Sequence, residues 1–274
     1  MRISEMKFSI KERMKRYLLE NSYVDRVHIV GCARSGTTML HYAFSAFENT
    51  LLFDKECQPW DSPGLKECFQ KYWELKDTAS RHFMVTKRSK WWFNEKVVHK
   101  TVDYVRENNV FLIHIVRDPR DVLTSSHKLS DSPYYVTPEI WDASINAANM
   151  MFDLLGDYPR KMTIRFEDVV NHPEKVEKLM IETIGLRKKI GVQSIARLKD
   201  NVELLGKDAG TMIEYMHKLR NFDPSSIGKW RRDSVKSEYL EQLLNASPYQ
   251  DEINGFLRTN GYLASKKSPV FMNN

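Results

Sequence analysis

Two glycines five positions apart, Gly31 and Gly36, enclose Cys32-Ala33-Arg34-Ser35 and lead into Thr37-Thr38-Met39. The apolar run 27–30 precedes them, and Leu40, Ala43, Phe44 and Phe47 follow at helical spacing. A strand, a tight loop and a helix start in that order aim backbone N–H groups and the positive helix end at an anion. The Gly-x4-Gly spacing is that of a phosphate loop, but Thr37 stands where a nucleotide triphosphatase has its lysine. The grip on β- and γ-phosphates is therefore missing, which disfavours ATP or GTP hydrolysis. Taken alone, the loop also fits an ordinary strand-to-helix turn.

A second segment repeats the pattern. Residues 110–116 form a near-continuous apolar, β-branched run, as expected of a strand buried on both faces. It leads into Arg117-Asp118-Pro119-Arg120-Asp121-Val122-Leu123-Thr124-Ser125. Pro119 suits a first helical turn and Asp118 its cap, which puts Arg117 at the carboxyl end of a central strand, where open α/β sheets place ligands. A helix over 119–127 sets Ser125 two turns along, facing the same anion.

These two segments together resemble the sulfotransferases that use 3′-phosphoadenosine 5′-phosphosulfate (PAPS). Arg34 with Ser35, Gly36, Thr37 and Thr38 resembles their 5′-phosphosulfate loop. Arg117 and Ser125 match the arginine and distal serine that grip the 3′-phosphate. Gly228-Lys229-Trp230 resembles the C-terminal element that closes over the nucleotide, with Lys229 near the 3′-phosphate and Trp230 anchoring the flap; a polar loop with one buried Trp is the plainer reading. Residues 164–169 resemble the family's Tyr-Glu-Asp-Leu stretch, with Phe166 in place of the tyrosine, so that a ring contact to adenine survives but a hydroxyl bond does not. The resemblance spans residues 26–232.

For catalysis the resemblance implies Lys87, at a strand end, directed at the transferring sulfuryl group, with Arg34 beside it. Ser89 stands where the cytosolic small-molecule enzymes carry their base histidine, and Met39 where they carry a tryptophan. A standard phenol or steroid enzyme is disfavoured. The tyrosyl-protein branch takes its base from a glutamate after the second strand, and Glu56 is one residue off that place. Glu56 is therefore the favoured base against a solvated loop carboxylate, with Asp54 and His127 in reserve. The implied reaction is in-line sulfuryl transfer to an acceptor hydroxyl, with 3′-phosphoadenosine 5′-phosphate (PAP) as product. Trp60, Trp73, Trp91 and Trp92 fall in segments flanking the acceptor cleft, although core packing explains such residues as simply. They favour, weakly, a carbohydrate or glycolipid acceptor. The rival readings are a non-catalytic nucleotide-binding domain of the same fold and a kinase-like phosphotransferase.

The elements that must carry these residues are strands at 26–31, 50–53, 82–86, 110–116 and 161–166, alternating with helices at 36–47, 94–106, 119–127 and 138–155. Alternation of this kind predicts an α/β, three-layer, P-loop-like fold with a mostly parallel sheet of about five strands. From residue 173 the pattern is helical, with Val176, Leu179, Met180 and Ile184 as one apolar stripe and later helices at 237–244 and 252–258. Segment 189–220 is weakly periodic. The expected organisation is one domain over 1–274: an N-terminal amphipathic helix within 1–24, an α/β core at 25–170, and a helical part at 171–274 carrying the closing loop.

At 274 residues, 42% hydrophobic and 11% aromatic, the chain has ample material for a packed core. Its net charge of +6 is a mild excess that suits an anionic cofactor and is no nucleic-acid signature. The three cysteines, Cys32, Cys57 and Cys68, imply neither a disulfide framework nor a zinc site, and no other metal cluster is evident. No apolar run is long enough for a signal peptide or a membrane span. Family members of the Golgi carry an anchor, so the expected setting is the cytoplasm, as in a bacterial member or a truncated catalytic domain. Oligomeric state is left open.

Overall fold

A computed structural model of the chain describes residues 24–60, 82–89, 93–126, 132–192 and 223–263. Five parallel strands, β1 (Val24–Val30), β2 (Thr50–Glu56), β3 (His82–Arg88), β4 (Phe111–Val116) and β5 (Lys161–Arg165), lie in the order β2-β3-β1-β4-β5. The α/β fold expected from the alternation of strand and helix patterns is the one observed. β1 is flanked by β3 on one side and β4 on the other. The strand order therefore reverses at β1, and the carboxyl ends of β3, β1 and β4 form the crevice in which doubly wound sheets bind ligands.

The period-two alternation of β1 explains its place in the sheet. Val27 and Ile29 join Phe83, Val85, Ile113 and Ile115 in the core beneath α1 (Thr37–Ala43), α5 (Phe166–Asn171) and α6 (Pro173–Ile184). Val30 and Leu112 face the other way, packing with Val98, Val102 and Val105 of α2 (Glu95–Glu107) and Ala148, Met151 and Leu155 of α4 (Pro138–Leu155). Asn94 caps α2 by accepting from Lys96 N, and Thr137 caps α4 by accepting from Ile140 N, with Pro138 in its first turn. A third apolar cluster joins α3 (Pro119–Leu123) to the C-terminal helices through Val122, Leu123, Trp141, Leu240, Ile253 and Leu257. Those helices are α7 (Lys229–Arg232), α8 (Ser234–Ala246) and α9 (Gln250–Thr259).

Several boundaries differ from the sequence expectation, each for a local reason. The helix expected over 36–47 ends at Ala43 and continues as a tighter turn, Phe44–Ala46. There the Thr50 hydroxyl donates to the carbonyls of Phe44 and Phe47. The helix expected over 119–127 stops at Leu123, because the Thr124 hydroxyl donates back to the Arg120 carbonyl at 2.7 Å and Ser125 N turns to Val122 O. Ser125 thus lies past the helix end and not two turns along it. β2 and β3 both run further than expected, to Glu56 and Arg88, so Glu56 and Lys87 are strand residues. In α6, Val176, Met180 and Ile184 are buried but Leu179 is 36% exposed, off the stripe expected to hold it. The expected N-terminal helix, Cys68, Trp73, Trp91, Trp92, His127 and most of segment 189–220 lie outside the described residues.

Candidate active site

The loop after β1 is shaped by two glycines and a serine. A Cβ on Gly31 would lie 2.7 Å from the Ile115 carbonyl oxygen, so only glycine lets the loop pass this close to β4. Gly36 has φ +100°, and a Cβ there would meet the Phe166 ring at 2.5 Å. Ser35 is buried, and its hydroxyl and its N–H both donate to the Cys32 carbonyl, at 2.6 and 3.0 Å. The Ser35 side chain is thereby engaged in folding the loop. Burial pushes the Cys32 thiol up to about 12, which leaves it an inert small residue. Gly36 caps α1 without a side-chain bond, and the first-turn residues Thr37 (buried) and Thr38 (half-buried) open the helix.

Arg34 is the exposed member of the loop, at φ +71°, and its Nε donates to Ser125 Oγ at 3.1 Å. Arg117, from the end of β4, donates to the carbonyls of Arg34 (3.1 Å) and Ser226 (2.8 Å), and its guanidinium lies 4.1 Å from the centre of the Phe166 ring. Arg34, Ser125 and Arg117 therefore converge, although they come from different loops. Burial lowers the Arg117 pKa, and the carboxylates of Asp121, Glu167 and Asp118 oppose that shift. The Phe166 ring is thus contacted by Arg117 and lies close against Gly36.

The segment carrying Gly228, Lys229 and Trp230 docks on the same turn. Gly228 N and Lys229 N both donate to the buried Asp121 carboxylate, at 2.7 and 2.9 Å, and Arg117 lies 3.8 Å from it. The Trp230 ring sits 4.4 Å from the Arg120 guanidinium. Three buried polar atoms around this junction, Arg117 Nε, Ser226 Oγ and Trp230 Nε1, have no hydrogen-bond partner among the described residues. All three are able to donate, which suits an anion with several oxygens.

A second cluster lies at the ends of β2 and β3. Glu56 is in register with Lys87, beyond an irregularity in the pairing after Leu52. Lys87 Nζ lies 3.3 Å from Glu56 Oε1, and Ser89 reaches the same carboxylate through its hydroxyl (2.5 Å) and its N–H (3.4 Å). Burial pushes the Glu56 carboxyl up, but the Lys87 charge and the Ser89 bonds outweigh it, and the net direction is downward. The Glu56 side chain is 29% exposed against 7% for Lys87, so of the pair it is the more open to solvent. Since Ile29 pairs with Lys87 across β1 and β3, this cluster lies one strand from the glycine loop.

Residues 24–197 match the family model described as "Sulfotransferase domain". The chain belongs to the sulfotransferase family. Among solved structures, it is similar to the "Sulfotransferase Domain from the Synechococcus PCC 7002 Olefin Synthase", with TM-score 0.54 and 18% identity, covering 83% of this chain and 96% of that one. It is also similar to the "Sulfotransferase Domain from the Curacin Biosynthetic Pathway", with TM-score 0.52 and 16% identity, covering 81% and 98%. At such identities these similarities speak to the fold. No curated protein sequence matches significantly.

Two further residues of this candidate site were given no role of their own by the sequence. Asp121, which fixes the Gly228–Lys229 backbone, stands four residues after Arg117, and its signals in the sequence were that spacing and its place in the segment 117–125. Ser89, noted only as the absence of a histidine, orients Glu56. Trp60, expected beside the acceptor cleft, packs instead on α2, edge-on to Tyr104 with Lys100 Nζ 4.4 Å from its ring centre. Among the described residues no helix is long and apolar enough to cross a membrane.

Proposed function

We propose that this sulfotransferase moves a sulfuryl group from PAPS to an acceptor hydroxyl. The observation that carries the reading is the convergence of Arg34, Arg117 and Ser125 past the ends of β1 and β4, beside buried donors that have no partner among the described residues. When bound, PAPS supplies an activated sulfuryl group whose leaving group is an already stabilised phosphate.

Arg117 and Ser125 hold the 3′-phosphate, assisted by Lys229, while Trp230 and the Asp121-anchored backbone at Gly228 keep the closing segment in place. Backbone N–H groups at Gly36, Thr37 and Thr38 hold the 5′-phosphate, in a loop folded by Ser35, whose own N–H and hydroxyl are taken by the Cys32 carbonyl. Arg34 and Lys87 supply positive charge where negative charge collects in the transition state. Glu56, kept ionised by Lys87 and Ser89, takes the acceptor's proton. Preorganised charge and orientation carry most of the rate, as in phosphoryl transfer. The acceptor class we favour is a carbohydrate or glycolipid hydroxyl.

Incubation with PAPS labelled on its sulfur, against a panel of saccharide, glycolipid and phenolic hydroxyls, tests the reading. Label transfer that disappears in Glu56→Gln supports it. PAP binding with no transfer to any acceptor favours a non-catalytic nucleotide-binding domain, and transfer from ATP instead favours a phosphotransferase.

A further inference from the structure

Four buried residues close a hydrogen-bond ring next to Arg117. The Tyr262 hydroxyl donates to Glu167 Oε2 at 2.9 Å, and Asp118 N donates to Glu167 Oε1 at 3.0 Å. The Asp118 carboxylate accepts from Arg120 Nε and Nη2, at 2.9 and 2.8 Å. Arg120 Nη2 also donates to the Tyr262 carbonyl at 3.0 Å, which completes the circuit. All four residues are less than a tenth exposed. Tyr262 is held from outside the ring as well: its N–H donates to Leu257 O past the end of α9, its ring stacks on Phe256, and the Arg165 guanidinium lies 4.4 Å from the ring centre.

The neighbours of this ring give it consequence. Arg117 precedes Asp118 and Phe166 precedes Glu167, and Arg117 lies over the Phe166 ring. The bond from Asp118 N to Glu167 therefore sets the spacing of the two backbones that carry the stacked pair. Arg120, another member, packs on Trp230 of the closing segment. Tyr262 lies beyond residues 24–197, the stretch that carries the family match.

We propose that Tyr262 is a positioning residue for the anion subsite: through Glu167 and Asp118 it fixes the Arg117 guanidinium, making the C-terminal helical segment part of the binding site. This rests on the reading that Arg117 takes the 3′-phosphate. Tyr262→Phe keeps the ring and its stacking but leaves Glu167 without its side-chain donor. Glu167→Gln keeps the shape and serves as the second variant if Tyr262→Phe does not fold.

Calorimetric titration of the full chain with PAP and, separately, with adenosine 5′-phosphate isolates the contribution of the 3′-phosphate as a ratio of the two dissociation constants. That ratio is expected to fall about tenfold in either variant, the loss of one bond to a charged group, while adenosine 5′-phosphate binds as in the wild type. A ratio unchanged from wild type in a folded variant overturns the proposal. So does an equal loss for both ligands, which marks a merely structural tyrosine. A wild-type chain with no preference for PAP instead overturns the reading of Arg117 on which the proposal stands.

Discussion

The two clusters at the carboxyl edge of the sheet handle charge in opposite ways. At the β2–β3 corner, Lys87 and Glu56 face each other directly, and Ser89 adds two bonds to the same carboxylate. At the β1–β4 corner the guanidinium of Arg117 hydrogen-bonds to neutral oxygens, the carbonyls of Arg34 and Ser226, with the Asp121 carboxylate farther off at 3.8 Å, and Arg34 donates to a neutral hydroxyl. Both oxygens of the carboxylate at that corner, Asp121, are taken up by the backbone at Gly228 and Lys229. An arriving phosphate competes better for a guanidinium against carbonyls than against a carboxylate. On the proposed function the first corner keeps a base ionised and the second receives an anion, so substitutions should separate the two.

The largest effect is expected at the first corner. Glu56→Gln keeps the shape and removes the basicity, and should reduce turnover by roughly two to four orders of magnitude while PAP affinity stays as in the wild type. Steady-state rates set beside calorimetry check this. Near-normal turnover in that variant, with loss in His127→Ala, would move the base to the histidine.

Next comes Arg117→Ala, which should weaken PAP binding by about ten- to a hundredfold, corresponding to roughly 1.5–3 kcal/mol for a charge-assisted contact. A folded variant that binds PAP normally would make Arg117 structural and dissolve the distinction between the corners.

Ser89→Ala sharpens the comparison through pH. As the proposed base, Glu56 would work as the anion, so the rate should be retained above its depressed pKa and lost as pH falls through it. Removing the Ser89 hydroxyl bond, which favours the ionised form, should move this acid limb to higher pH. A pH–rate profile with an unmoved limb would show that Ser89 does not tune the base. The smallest effect is expected for Ser125→Ala, about 1 kcal/mol or severalfold in PAP affinity, since a neutral hydroxyl contributes on that order.

How much of this was legible in the sequence depends on the range of the forces involved. The sheet was, because its strands are buried runs whose periodicity is local: every residue of β4 is buried, as its apolar run implied. The glycine loop was legible too, because close approach at Gly31 and positive φ at Gly36 admit few other residues. Boundaries set by a single side-chain bond were not, as where Thr124 ends α3 and carries Ser125 off the helix. Nor was the Tyr262 ring, which joins residues as far apart as 120 and 262 through contacts that no local pattern encodes.

The most direct test of the two-corner division is calorimetric titration of the Glu56→Gln protein with PAP and with adenosine 5′-phosphate. The division predicts that PAP binds far more tightly than adenosine 5′-phosphate, with the wild-type affinity, in a protein that has lost turnover. Equal affinity for the two ligands, or loss of PAP binding along with turnover, would contradict it.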